Sequence, residues 1–389
     1  MRILYYTWFE NSQEDMVETL LYLGHSVIKC SIPFRNYEED EEAMEQLSRV
    51  IEEYGCDSIF SFNFFPVIAR TAERCQIKYI SWIYDCPHWT LYSPAVKCAC
   101  NFIFVFDEMQ FFSLQQFGIP HLYRFPLAVN TTKLCELLGT PQPESGKAEQ
   151  MEDDISFVGS LYENNRYDKI RYLPEYLRGY LEGAMQAQEL VYGYNFVAEL
   201  LTENVMEQMK AFVSMDLPET YTVSVRELYA AMLNEKITSR DRIQLLNLVS
   251  GSGSLSLYSA SEPKLVPGAH YRGTVAYRQE MPRVFRRSKI NLNITLRSIQ
   301  SGIPLRALDI MGAGGFLLSN YQSELAEWFE DGKELVLYAS AEELLGKVRY
   351  YLSHEEERRE IAYQGFLKAR KLFSYETRVK QMMDIVETE

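Results

Sequence analysis

Apolar positions in the first third of the chain fall into short, nearly continuous runs. These are Arg2 to Trp8, Ser26 to Ile32, Asp57 to Phe64, Lys78 to Tyr84, Asn101 to Phe106 and His121 to Phe125. Runs of this length, rich in Ile, Val, Tyr and Phe, predict strands buried on both faces. Between them the apolar positions return at helical spacing, over Asp15 to Leu23, Glu41 to Tyr54, Pro66 to Cys75 and Met109 to Phe117. Gly24, Gly55 and Gly118 follow three of these segments, where a left-handed cap ends a helix. Alternating strands and helices predict a parallel sheet covered on both faces.

The pattern breaks at Thr140 to Asp154, which holds Pro141, Pro143, Gly146 and several acids and has no apolar period. This predicts a linker over 141–154 between an N-terminal domain, 1–140, and a second domain, 155–370. The second domain opens with a strand, Ile155 to Val158, and continues with a largely helical insertion from about Arg166 to Val249. Strand and helix then alternate again. Strands are predicted at Ser254 to Tyr258, Ala269 to Ala276, Ile290 to Ile294, Phe316 to Leu318 and Leu335 to Tyr338. Helices are predicted at Gln279 to Arg287 and Pro304 to Met311, and from Ala341 onward. A C-terminal helix over 371–389 could pack back on the first domain. Two Rossmann-like α/β domains in series predict a ligand cleft at the carboxyl ends of the strands, with the domains facing one another.

Composition narrows the function classes. The 389 residues are 47% hydrophobic and 24% charged, with a net charge of -15. An acidic chain with no basic face is a poor match for nucleic acid. No apolar run has the length of a membrane span, and no charged-then-apolar leader opens the chain. All seven cysteines lie in the first 135 residues. Their odd number and apolar settings predict reduced thiols in a cytoplasmic protein. Cys98 and Cys100 form a close pair, but without further ligands at zinc spacing.

The segment Ser301-Gly302-Ile303-Pro304-Leu305-Arg306-Ala307-Leu308-Asp309-Ile310-Met311-Gly312-Ala313-Gly314-Gly315-Phe316 resembles the donor-site helix of group 1 glycosyltransferases. More closely, it resembles their CgeB-like, spore-maturation-type branch. Trp82 to Pro87, Glu330 to Tyr338 and Arg358 to Arg378 are similar to the same branch. The resemblance implies a GT-B-like fold and transfer of a sugar from a nucleoside-diphosphate sugar to an acceptor hydroxyl. The nucleotide sugar, with UDP as the first expectation, would be a co-substrate, with no separate cofactor. The acceptor could be a protein, a soluble glycan or a small molecule. A sugar-nucleotide epimerase of the same fold and a non-catalytic nucleotide-sugar-binding protein remain alternatives. Many group 1 transferases carry two Glu separated by seven residues. Here Asp309 takes the second place and Ser301 the first, which leaves their retaining mechanism open.

The residues support a donor site on their own chemistry. Amides at Ser301 and Gly302 precede a helix and can meet a phosphate. Arg306 can add a charge-assisted bond, and Asp309, one turn on, can accept from a ribose diol. Gly314 suits a tight turn from helix to strand. From Tyr271 to Arg306 eight cations stand against Glu280 alone, a local excess that favours an anionic ligand. Arg297 and Arg306 are the phosphate candidates. Gly159 and Ser160, after the second domain's first strand, would let a phosphate approach. Tyr271, in the run up to Tyr277, would line the base pocket.

In the first domain Asp85 and His88 flank Pro87 after a strand and are the candidate general bases. Asp107 and Glu108 are the runners-up, and Glu10 and Asn11 are candidate acceptor contacts. No Asp-x-Asp occurs, so the leaving diphosphate is expected to be neutralised by Arg and helix amides without a metal.

Overall fold

A computed structural model describes residues 1–142, 151–215 and 217–389. The chain divides into two compact units. The first holds β1 (Arg2–Tyr6), α1 (Gln13–Tyr22), β2 (Ser26–Cys30), α2 (Glu41–Tyr54), β3 (Ser58–Phe62), α3 (Pro66–Cys75), β4 (Lys78–Trp82), β5 (Asn101–Val105), α4 (Glu108–Gln115) and β6 (Leu122–Arg124). All six strands are parallel, in the order β2-β1-β3-β4-β5-β6. Strands β3 and β5 are buried at every residue, as their unbroken apolar runs require when helices cover both faces. Local chemistry sets the helix starts. Asp40 and Asp107 accept an amide from the first turns of α2 and α4, and Pro66 opens α3.

The second unit begins at Val129 and contains α5 (Thr131–Leu138), β7 (Asp153–Val158), α6 (Glu175–Glu189), α7 (Val197–Leu200), α8 (Glu203–Lys210), α9 (Val225–Ser250), β8 (Leu255–Tyr258), β9 (His270–Gly273), α10 (Met281–Arg287), β10 (Ser288–Asn293), α11 (Leu305–Gly312), β11 (Leu317–Asn320), α12 (Ser323–Trp328), β12 (Val336–Tyr338), α13 (Ala341–Ser353) and α14 (Glu355–Leu372). Its strands are also parallel, in the order β12-β11-β10-β7-β8-β9. The helical insertion has its own core, in which Leu177, Leu181, Met185, Val197, Met209, Met232 and Ile237 pack together.

The unit boundaries differ from the expected ones. The break falls at Ala128/Val129, because Val129 pairs with Ser374 and its N–H donates to Phe373 O. Helix α5, expected in the first domain, therefore belongs to the second. Residues 143–150 of the expected linker lie outside the described residues. Residues 217–224 return to the first unit, where Thr222 N–H donates to Tyr92 O at 3.0 Å. The last helix, α15 (Tyr375–Thr388), also belongs to the first unit, where it packs on α1 and Val386 O accepts from Lys78 Nζ.

The seven cysteines are all free thiols. Cys98 and Cys100 bond Glu73 and the Ala69 carbonyl, and burial pushes both thiols up to about 12. Among the described residues no helix is long and apolar enough to cross a membrane.

Candidate active site

The carboxyl ends of β7 and β10 lead into the turns that carry most of the donor candidates. Ser301 and Gly302 precede α11, and Arg306 and Asp309 lie one turn apart within it. The Asp309 carboxylate is 6% exposed. One oxygen accepts from the Tyr277 hydroxyl at 2.9 Å and the other from Arg306 Nη1 at 3.2 Å. Burial pushes its carboxyl up to about 6, against the pull of Arg306 and Tyr277. A carboxylate offers about four lone-pair positions, so two bonds leave capacity for a diol. Arg306 also lies over the Phe285 ring at 5.6 Å and contacts the Met281 sulfur.

Ser301 is turned toward a carboxylate that the sequence did not bring to notice. Its hydroxyl donates to Glu324 Oε1 at 2.9 Å, and its carbonyl accepts the Glu324 N–H at 3.1 Å. Glu324, in the first turn of α12, is fully buried. Ser301 thus has an acid at hydrogen-bond distance, 23 residues further on. Gly314 has φ +75°, and a Cβ there would come within 2.6 Å of Pro141 Cγ, so the turn excludes side chains.

Arg297 is not a phosphate ligand. Its Nε donates to Asp241 at 2.5 Å, Nη1 to Val191 O and Nη2 to Glu189 O, and its guanidinium stacks on Tyr192 at 4.2 Å. It ties the helical insertion to the loop after β10. Tyr271 is not free to line a base pocket, because its hydroxyl donates to Ser259 O and its ring packs against the sheet's core. Much of the basic run from Tyr271 to Arg306 is likewise neutralised. Arg287 pairs with Glu152 at 2.5 Å, Lys289 with Asp154 at 2.6 Å and Arg272 with Asp153 at 3.8 Å. Parallel pairing of β10 with β7 sets Ser288 opposite Asp153, which puts these acids beside the cations.

Arg242, in the second half of α9, has no carboxylate within ion-pair distance among the described residues. Its Nη1 donates to Ser160 O at 2.6 Å, and Nε and Nη2 donate to Ile294 O at 3.0 and 2.6 Å. It therefore holds the exits of β7 and β10 together. The guanidinium lies over Phe157 at 5.4 Å and Tyr162 at 5.1 Å. Burial pulls it down to about 10, Tyr162 opposing and the charge of Arg306 adding to the effect. At Gly159 an added Cβ would meet only ordinary contacts, with the Phe157 ring at 3.5 Å and Arg242 Nη1 at 3.7 Å, so packing within the unit does not demand a glycine there.

In the first unit Asp85 is exposed, and its Oδ2 accepts from Asn63 Nδ2 at 2.8 Å. Asn63, which sequence reasoning missed, is 4% exposed with φ +61°. Its Oδ1 accepts the Tyr84 and Asp85 amides at 2.9 and 3.2 Å, so one side chain fixes both the turn and the carboxylate. His88 is a turn anchor and not a free base. Its Nε2 accepts the Phe64 N–H at 3.2 Å and lies 2.7 Å from the Thr90 hydroxyl. Burial holds its imidazole below the ordinary range, although the Phe64 backbone and Asp85 favour the charged form. Asp107 caps α4, and Glu108 pairs with Arg124 at 2.6 Å. Glu10 is buried and accepts from the Tyr5 and Thr7 hydroxyls and the Trp8 amide. Asn11 is exposed beside it.

Two units, each with a six-stranded parallel sheet and covering helices, give a GT-B-like fold. Residues 239–384 match the family described as Glycosyl transferase-like, and the chain is a glycosyltransferase. Its structure is similar to sucrose-phosphate synthase from Thermosynechococcus elongatus, at TM-score 0.57 and 9% identity, over 100% of this chain and 98% of that one. A glycosyltransferase from Rickettsia africae matches at TM-score 0.52 and 10% identity, over 99% and 97% of the two chains. The Anabaena protein HepE, solved in complex with UDP, matches at TM-score 0.52 and 10% identity, over 100% of both chains. These likenesses define the fold. No curated protein matches the chain in sequence.

Proposed function

We propose that the chain moves a sugar from a UDP-sugar to an acceptor hydroxyl without a metal, as a member of the CgeB-like branch working in the cytoplasm. The observation that carries this is the pair Arg242 and Arg306. Arg242 has no carboxylate within ion-pair distance and feels the Arg306 charge. Arg306 already pairs with Asp309 at 3.2 Å, so Arg242 brings the charge that lacks an acid, and a diphosphate has the charge to meet both. As the glycosidic bond breaks, these fixed charges stabilise the leaving diphosphate in place of a cation. Asp309 then accepts from the ribose diol. The UDP bound to the structurally similar HepE supports the choice of base, and the seven free thiols support a reducing compartment.

The first unit supplies the acceptor's base. Asp85, oriented by Asn63, takes the proton of the attacking hydroxyl. UDP release from UDP-sugars, measured in EDTA with and without added acceptors, tests this. Acceptor-dependent release in EDTA is expected. Release only with added divalent metal, or sugar conversion that needs no acceptor, contradicts it.

A further inference from the structure

The loop leaving β1 combines two unfavourable features in one residue. Phe9 is 81% exposed and holds φ +66°. A bulky side chain in the left-handed region is strained, and such strain persists only where the surroundings impose it. Here the surroundings are hydrogen bonds. Phe9 N–H donates to Thr7 Oγ1 at 2.9 Å, and Trp8 N–H donates to the buried Glu10 carboxylate at 3.1 Å. Glu10 is in turn held by the Tyr5 and Thr7 hydroxyls. Trp8, 40% exposed, donates its indole N–H to Phe62 O at 3.2 Å. Among the described residues neither ring stacks on another aromatic side chain. The residue after Phe62 is Asn63, which holds Asp85 at 2.8 Å. A buried polar network therefore turns two apolar faces to solvent, one residue away from an amide and an exposed carboxylate.

That combination matches a pyranose ring. The ring's C–H face packs on an aromatic surface, while its hydroxyls need a carboxylate and an amide at the rim. A lipid chain has no use for the carboxylate. We propose that Trp8 and Phe9 form a stacking platform for a sugar ring of the acceptor, which makes the acceptor a glycan. This rests on the reading that the first unit presents the acceptor hydroxyl to Asp85.

Saturation-transfer NMR tests it with maltotriose, cellotriose, chitotriose and laminaritriose, in the presence of UDP. The proteins are the wild type, Phe9→Tyr and Phe9→Gly, with UDP affinity measured in parallel by calorimetry. Glycine takes the left-handed backbone without strain, so Phe9→Gly removes the ring while keeping the wild-type melting temperature. At least one trisaccharide is expected to receive saturation from the wild type and from Phe9→Tyr. Its affinity should drop at least tenfold in Phe9→Gly, with UDP affinity unchanged. Binding of no trisaccharide, equal binding to Phe9→Gly, or Phe9-dependent binding to phosphatidylcholine vesicles instead would overturn the platform. Failure of UDP to bind, with trisaccharide binding still dependent on Phe9, would sink the transferase reading and leave the platform standing.

Discussion

The two sheets are alike in strand number and direction, yet the turns beyond their carboxyl ends carry opposite chemistry. Beyond β7 and β10 stands Arg242, without a carboxylate partner and within reach of the Arg306 field. Beyond β1, β3 and β4 stand an exposed carboxylate, the amide that orients it, and two outward-facing rings. The first arrangement suits a diphosphate, and the second suits a neutral hydroxylated ring. The two sheets thus end in unlike chemistry because the side chains at the strand exits, and not the sheets, differ. A second contrast lies within one unit. Arg297 and Arg242 are both drawn into the second unit, but Arg297 pairs with Asp241 at 2.5 Å while Arg242 meets only carbonyls. The paired cation is structural, and the other is the one proposed to meet the diphosphate.

These contrasts can be broken by substitution. The largest effect is expected for Asp85→Asn, which removes the base but keeps the Asn63 contact. Turnover should fall by about 10²-fold or more, with UDP affinity unchanged by calorimetry. A variant with full turnover would leave the first unit without its assigned role. Arg297→Leu should destabilise the protein by about 3–5 kcal/mol in urea titration, because Asp241 is left buried and unpaired. Nucleotide affinity of the folded protein should not change. Lost affinity with intact stability would reverse the assignment of the two arginines.

Asp309 adds a pH signature. Its carboxyl rises from 3.8 to about 6 on folding, so the native state holds a proton that the unfolded chain has already lost. Stability is therefore greatest below pH 4 for this group, and it declines as pH rises to 6, by up to about 3 kcal/mol. Asp309→Asn should remove this slope from melting curves taken across pH 4 to 7. In the wild type UDP affinity should weaken on acidification through pH 6, as the ribose acceptor becomes protonated.

Much of the fold was legible because strands buried on both faces leave continuous apolar runs. The sites were legible only in part. Arg306, Asp309 and Gly314 stand in one local motif, so the sequence shows them together. Arg242 is one of four cations in a 26-residue helix, with Arg226, Lys236 and Arg240, and only the convergence of β7 and β10 gives it meaning. The count of cations from Tyr271 to Arg306 misled, because parallel pairing brings Glu152, Asp153 and Asp154 alongside. Asn63 was missed because its role depends on a left-handed backbone and a neighbouring strand. Asp85 and His88 look equivalent around Pro87, and only the structure shows one exposed and the other bonded to Phe64.

The central claim is that Arg242 and Arg306 hold the diphosphate without a metal. Calorimetric titration of UDP and of uridine in EDTA isolates the diphosphate's share of the affinity. The wild type should bind UDP far more tightly than uridine. Arg242→Met should lose about 1.5–3 kcal/mol of that difference, roughly 10- to 100-fold. An unchanged preference for UDP over uridine in Arg242→Met would contradict the account.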